Sequence, residues 1–198
     1  KLDTKIPVIE NMLDKADKIL LGGAMIFDFY KAKGFSIGDS LFEEDMVERS
    51  RDIIEKAGEK LILPKDIVIA HDVKDTETKD VDYEHIPDGW KGLDIGEKTA
   101  EQFRNELQGA KTIVWNGPMG VFEYDNFAKG TFEVAKIIAS LDCISIVGGG
   151  DSASAIKKLG MEESFTHVST GGGASLELLS GKKLPGIEAL ERNWESFS

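Results

Sequence analysis

The sequence predicts an α/β domain whose sheet is mostly parallel and covered by helices on both faces. Three observations point there. Short apolar runs alternate with stretches whose apolar residues recur at helical spacing. Several of those runs stop abruptly at glycine doublets or triplets. Strands that alternate with helices need crossover connections, and crossovers make parallel sheets with covered faces.

The elements follow in order. Ile6, Ile9, Leu13 and Ala16 recur at helical spacing. Residues 18–21 read as a short buried strand ended by Gly22-Gly23, and a helix over 25–33 stops at Gly34. Met46, Val47, Ser50, Ile53, Ile54 and Ala57 mark one face of a longer helix. Strands are expected at 60–63 and 66–70, followed by a charged, solvated excursion over 71–88 with some irregular strand. Ala100, Phe103, Leu107 and Ala110 form another helical stripe, and 112–115 form a buried strand ended by Asn116-Gly117-Pro118. A helix over 127–141, a strand over 144–147 ended by Gly148-Gly149-Gly150, and a helix over 151–159 come next. A strand at 166–168 and a core helix over 174–179 complete the pattern, and 191–198 read as a tail without periodicity.

The formal net charge is −12 over 198 residues, which argues against a general nucleic-acid or anionic-membrane surface. A phosphate site in so acidic a chain must be local, built from helix N-termini, a few lysines and a metal ion. The single Cys143 excludes an internal disulfide and reads as a structural thiol; the three histidines lack zinc-ligand spacing. No signal peptide and no membrane-length apolar stretch is apparent, so a cytoplasmic location is the expectation.

The glycine turns carry the chemistry. In Val147-Gly148-Gly149-Gly150-Asp151-Ser152 a strand runs through three glycines into a helix. Backbone without Cβ atoms can approach a ligand closely, and the helix adds free N–H groups and about half a positive charge. Asp151 is either an N-cap or a carboxylate for Mg²⁺, and spacing leaves the two even. Ser169-Thr170-Gly171-Gly172-Gly173 repeats the design. One such turn is more often tight packing; two in one domain favour an anion site of the kind that stabilises a transferring phosphoryl group. A third turn runs from Asn116, an amide at a strand end, to Glu123, a carboxylate able to accept from a ribose diol or a solvated loop residue. Gly22-Gly23 and Gly92-Leu93 could line a flat slot for a base. The P-loop and G-x-G-x-x-G patterns are absent, so a nucleotide site here is of another design.

Residues 115–123 (Trp-Asn-Gly-Pro-Met-Gly-Val-Phe-Glu), Gly148-Gly149-Gly150-Asp151-Ser152 and residues 169–177 closely resemble signatures of phosphoglycerate kinases. Gly89-Trp90, residues 92–96 and Leu184-Pro185-Gly186 match in the same order, so the resemblance spans residues 1–190. It implies one lobe of a two-lobe, Rossmann-like, three-layer enzyme: the nucleotide-binding lobe over 1–190, with 191–198 as the tail. It also implies a glycolytic transferase, a kinase that moves a phosphoryl group between ATP or ADP and 3-phosphoglycerate with Mg²⁺. The phosphoglycerate would be held by the N-terminal lobe, which this sequence lacks, and the full-length enzyme would be a monomer.

By that resemblance Gly22, Gly23, Gly92 and Leu93 would flank the adenine, with Pro118 and Val121 packing near a ribose held by Glu123. Asn116 would meet the phosphates, Asp151 would carry Mg²⁺, and Ser152 would lie beside the outer phosphates. The backbone of Gly149, Gly150, Gly171, Gly172 and Gly173 would face the transferring group, with Gly150 and Gly173 catalytic. Lys1 and Lys5 match phosphate-contacting lysines and would be catalytic with those glycines; read without the family they are ordinary surface residues. The family's Gly-Gly-Ala turn and the strand before it have no counterpart here, and Ala24 and Glu97 stand where glycine and proline are common. A non-catalytic nucleotide-binding module, or a glycine-rich domain with no ligand, are the competing readings. The lobe alone is expected to show no turnover, because both lobes must close to exclude water.

Overall fold

Among the described residues three small sheets organise the chain, and the strand ends of one of them line up the glycine turns. A computed structural model describes residues 2–169 and 171–197, so Lys1, Thr170 and Ser198 lie outside the described residues. Helix α1 spans Leu2–Met12, and strand β1, Ile19–Leu20, pairs in parallel with β2, Leu61–Ile62. Between them lie α2, Ile26–Ala32, and α3, Val47–Ala57. Leu2, Ile6 and Ile9 of α1 bury against Phe27, Phe29, Tyr30 and Ile53, which is the packing that fixes an 11-residue helix too short to persist alone.

The second sheet is antiparallel. Strand β3, Asp66–Ala70, pairs with β4, Lys79–Asp82, on one edge and β5, Lys91–Ile95, on the other. The expected irregular strand of the 71–88 excursion is β4. The Gly92-Leu93 pair, expected to line a slot for a base, lies inside β5.

The third sheet is parallel in the order β6, Thr112–Asn116, then β7, Ile144–Gly148, then β8, His167–Ser169. Helix α4, Glu97–Leu107, leads into β6; α5, Lys129–Ala139, into β7; and α6, Gly150–Lys158, into β8. Phe103, Val134, Ala135, Ile138 and Ile156 of these helices meet Ile113, Trp115 and Val147 of the strands in one buried cluster. Cys143 is partly buried against that cluster, and burial pushes its thiol pKa up. Two parallel sheets plus one antiparallel sheet, flanked by helices, make the architecture mixed α/β.

Two C-terminal expectations need revision. Helix α7, Gly172–Leu179, buries none of its residues fully, so it is not a core helix. The residues read as a tail, 191–197, continue helix α8, Pro185–Phe197. Its apolar Ile187, Leu190 and Trp194 are exposed, so the helical spacing exists without a core to announce it.

Candidate functional site

Parallel pairing puts three strand ends side by side. Asn116 at the end of β6 is the register partner of Gly148 at the end of β7, which is the partner of Ser169 at the end of β8. Ligands in such sheets bind outside the carboxyl ends of the strands. A cavity of about 200 Å³ lies there, walled by Asn116, Gly149, Gly150, Asp151 and Gly172, with Lys5 reaching in from α1. A larger groove of about 530 Å³ lies beside Tyr83 and Lys98 and shares none of these residues. The smaller cavity is the one at the strand ends, where the glycine turns meet.

Its equipment is a set of donors facing one acidic group. Lys5 Nζ donates to Asn116 Oδ1. That contact orients the amide, and among the described residues Asn116 Nδ2 is buried without a hydrogen-bond partner. A buried amide donor left unpaired costs free energy unless an acceptor comes to it, and a phosphate oxygen is such an acceptor. Burial lowers the Lys5 pKa from its ordinary value, and the Asp151 carboxylate works against that shift. The N-termini of α6 and α7 also open here, and Gly172 packs closely on Gly149. Gly149 has φ of 100° and ψ of 141°, a conformation essentially reserved for glycine, so a side chain here would strain the entry to α6.

Asp151 is a single carboxylate on the first turn of α6. Among the described residues no cluster of three or more His, Cys, Asp or Glu side chains forms a metal cage. One carboxylate suits Mg²⁺ bridged to substrate phosphates, because that ion keeps waters and seldom takes an all-protein cage. Ser152 is fully buried, and its Oγ accepts the Gly117 N–H at 2.7 Å, so its hydroxyl shapes the 117 turn.

The predicted base and ribose residues form a separate cluster along the loop after β6. Gly23 N–H donates to the Met119 carbonyl at 3.0 Å, and the Met119 thioether covers Gly22. Val121 N–H donates to the Leu93 carbonyl at 2.9 Å. Gly92 packs against Phe27 and Ile67. Pro118 lies on the same loop, half-buried, and Glu123 is exposed. Gly171 and Gly173 are exposed at the start of α7. Of the predicted residues, then, the cavity gathers Lys5, Asn116, Gly149, Gly150, Asp151, Ser152 and Gly172. Lys1 is outside the described residues. Gly117 and Leu176 also line the cavity and were not singled out beforehand; Leu176 follows the second glycine triplet by helical spacing, a signal available in the sequence.

Asp94 sits behind the loop, 4% exposed, accepting the N–H groups of Ile95 at 2.9 Å and Gly130 at 2.8 Å. Burial pushes its carboxyl up to about 7, against the lowering effect of those two bonds. A raised acid pKa means the folded chain holds a proton that the unfolded chain releases between about pH 4 and 7, so stability from this group falls as pH rises through that window. The melting temperature is therefore expected to rise between about pH 7.5 and 6 more steeply for the natural chain than for Asp94→Asn. Melting curves of both proteins at the two pH values check this; parallel slopes would contradict it.

Residues 1–182 match the sequence model of the family described as "Phosphoglycerate kinase". The chain is 58% identical over 192 residues to phosphoglycerate kinase of Enterococcus faecalis, covering 96% of the chain and 48% of that protein. It is 56% identical over 197 residues to the Trichodesmium erythraeum enzyme of the same name, covering 96% and 49%. Among solved structures, phosphoglycerate kinase from Coxiella burnetii superposes with a TM-score of 0.93 at 39% identity, covering 98% of this chain and 51% of that one. The Pyrococcus horikoshii structure gives 0.85 at 35% identity, covering 98% and 50%. The chain thus spans about half the length of the relatives it matches.

Proposed function

The chain belongs to the phosphoglycerate kinase family, and from that premise we propose that it supplies the nucleotide-binding half of a cytoplasmic, glycolytic kinase exchanging a phosphoryl group between ATP and 3-phosphoglycerate. The observation that carries this reading is the buried, unpartnered Asn116 Nδ2 beside Lys5, in a cavity flanked by two helix N-termini. Lys5, Asn116 and the backbone N–H groups of Gly150, Gly172 and Gly173 would hold the phosphates. Fixed donors of this kind stabilise charge spread over equatorial oxygens without reorganising during transfer. Mg²⁺ held through Asp151 would supply further charge neutralisation there. Gly22, Gly23, Gly92, Leu93, Pro118 and Val121 would pack around the adenosine, and Glu123 would accept from the ribose hydroxyls. The acceptor 3-phosphoglycerate would be held by the other half of a monomeric enzyme. Among the described residues no helix is long and apolar enough to cross a membrane.

Calorimetric titration with ADP, in Mg²⁺ and in chelator, tests the reading on this chain and on Asp151→Ala. The natural chain is expected to bind Mg-ADP, and the variant to bind it about tenfold or more weaker, since charge-assisted contacts contribute about 1.5–3 kcal/mol. In chelator the two should converge. No binding by the folded natural chain would contradict the proposal.

A further inference from the structure

The loop after β6 is clamped from behind by groups that line no part of the cavity. Thr131, fully buried in the first turn of α5, accepts the Met119 N–H at 3.0 Å and the Gly120 N–H at 3.3 Å through its Oγ1. The turn that carries Thr131 is itself tied to β5, because Gly130 N–H donates to Asp94 Oδ2. The fit is close: a methyl on Gly120 would come within 2.3 Å of Asp94 Oδ1 and 2.5 Å of the Phe127 carbonyl. The held N–H groups adjoin two contacts that join the loop to its neighbours: the Gly120 N–H shares its peptide with the Met119 carbonyl that accepts from Gly23, and Val121, the next residue, donates its N–H to Leu93. The phosphate half is anchored separately, through Asn116 in β6 and the Gly117 N–H on Ser152.

We propose that Thr131 is a positioning residue for nucleotide recognition: by fixing Met119 and Gly120 it sets where the adenosine half of the site stands relative to the phosphate half. It touches no ligand itself. Its hydroxyl thus ranks ligands that carry a nucleoside above bare polyphosphates. The inference rests on the nucleotide reading given above.

The test compares Mg-ADP with Mg-tripolyphosphate, on the natural chain, Thr131→Val and Thr131→Ser. Valine keeps the volume but removes the acceptor, leaving the buried Met119 N–H and the part-buried Gly120 N–H unpaired; serine restores the acceptor. Thr131→Val is expected to weaken ADP binding about tenfold, the loss of roughly one hydrogen bond in positioning, while changing tripolyphosphate binding less than about twofold. Thr131→Ser is expected to recover ADP affinity to within about threefold. Unchanged ADP affinity in Thr131→Val, or equal weakening of both ligands, would overturn the inference. A natural chain that binds neither ligand would instead overturn the nucleotide reading, and this inference with it. Should the valine variant not fold, amide exchange on the natural chain decides: Met119 and Gly120 are expected to be protected without nucleotide, and rapid exchange would refute the clamp.

Discussion

Asp66→Ala is expected to lower the stability of the chain by about 3–5 kcal/mol. Asp66 is the first residue of β3 and is 4% exposed. Its Oδ2 accepts the Lys98 N–H at 3.0 Å, and its Oδ1 accepts the Thr99 N–H at 2.8 Å and the Thr99 hydroxyl at 2.5 Å. These amides are the free donors in the first turn of α4, so a strand carboxylate performs the capping that Gly96, the preceding residue, cannot. Thr99 completes the lock by accepting the N–H groups of Lys65 and Asp66. Removing the carboxylate leaves buried donors unpaired and takes a negative charge from a helix N-terminus. Each bond to a charged group contributes about 1.5–3 kcal/mol, which sets the size of the loss. Asp66→Asn keeps the shape but turns a donor toward donors, so an intermediate loss is expected. Urea denaturation of the three proteins measures it, and a loss below about 1 kcal/mol for Asp66→Ala would contradict the lock. The consequence reaches the loop after β6, because β3 pairs with β5 and β5 carries Leu93, the partner of Val121.

What the sequence disclosed follows from how local each signal is. The three turns at 116, 148 and 169 were legible because an apolar run, a glycine group and a helix start are contiguous, and strand parallelism then brings them together. The antiparallel sheet was not. Strand β4 reads Lys-Asp-Val-Asp and β5 begins Lys-Gly, so neither looks apolar; their pairing to β3 joins residues that are not close in sequence, such as Asp66 with Asp82 and Ala70 with Lys91. The capping of α4 by Asp66, 32 and 33 residues before the amides it accepts, is invisible for the same reason. The family resemblance puts Ser152 beside the outer phosphates; that its hydroxyl accepts the Gly117 N–H is a contact only the folded chain reveals. Thr131 carries no motif, since a threonine in the first turn of a helix is ordinary until its two bond partners are known.

Lys5→Met is expected to weaken ADP binding more than any other substitution in the cavity, by about tenfold to a hundredfold, the range of a lost charge-assisted bond. The reason is the balance of charge. The chain carries a formal net charge of −12, and Asp151 adds a carboxylate to the cavity wall, so phosphates must be drawn in by very local positive groups. Lys5 is the lysine among the residues that line the cavity. The helix N-termini of α6 and α7 contribute only partial charges of about one half each, and those fall off within the first turn. Lys5 also holds the Asn116 carbonyl, so its removal frees the amide to turn its Nδ2 away from an incoming oxygen. Methionine keeps most of the stem's packing and deletes only the charge, which separates the electrostatic role from a packing role. Stability should change by less than about 1 kcal/mol, because the lysine is already held below its ordinary pKa by burial. Affinity in the natural chain should fall as salt is raised, since a partly exposed charge pair is screened, and the variant should show a shallower dependence. Lys5→Arg should not rescue, because a planar guanidinium is a different shape from a compact ammonium in a cavity of about 200 Å³. Isothermal titration at two salt concentrations reads both quantities. If Lys5→Met kept full affinity and the same salt dependence, the two helix N-termini and Asn116 would suffice for phosphate binding, and Lys5 would be reduced to a structural partner of the amide.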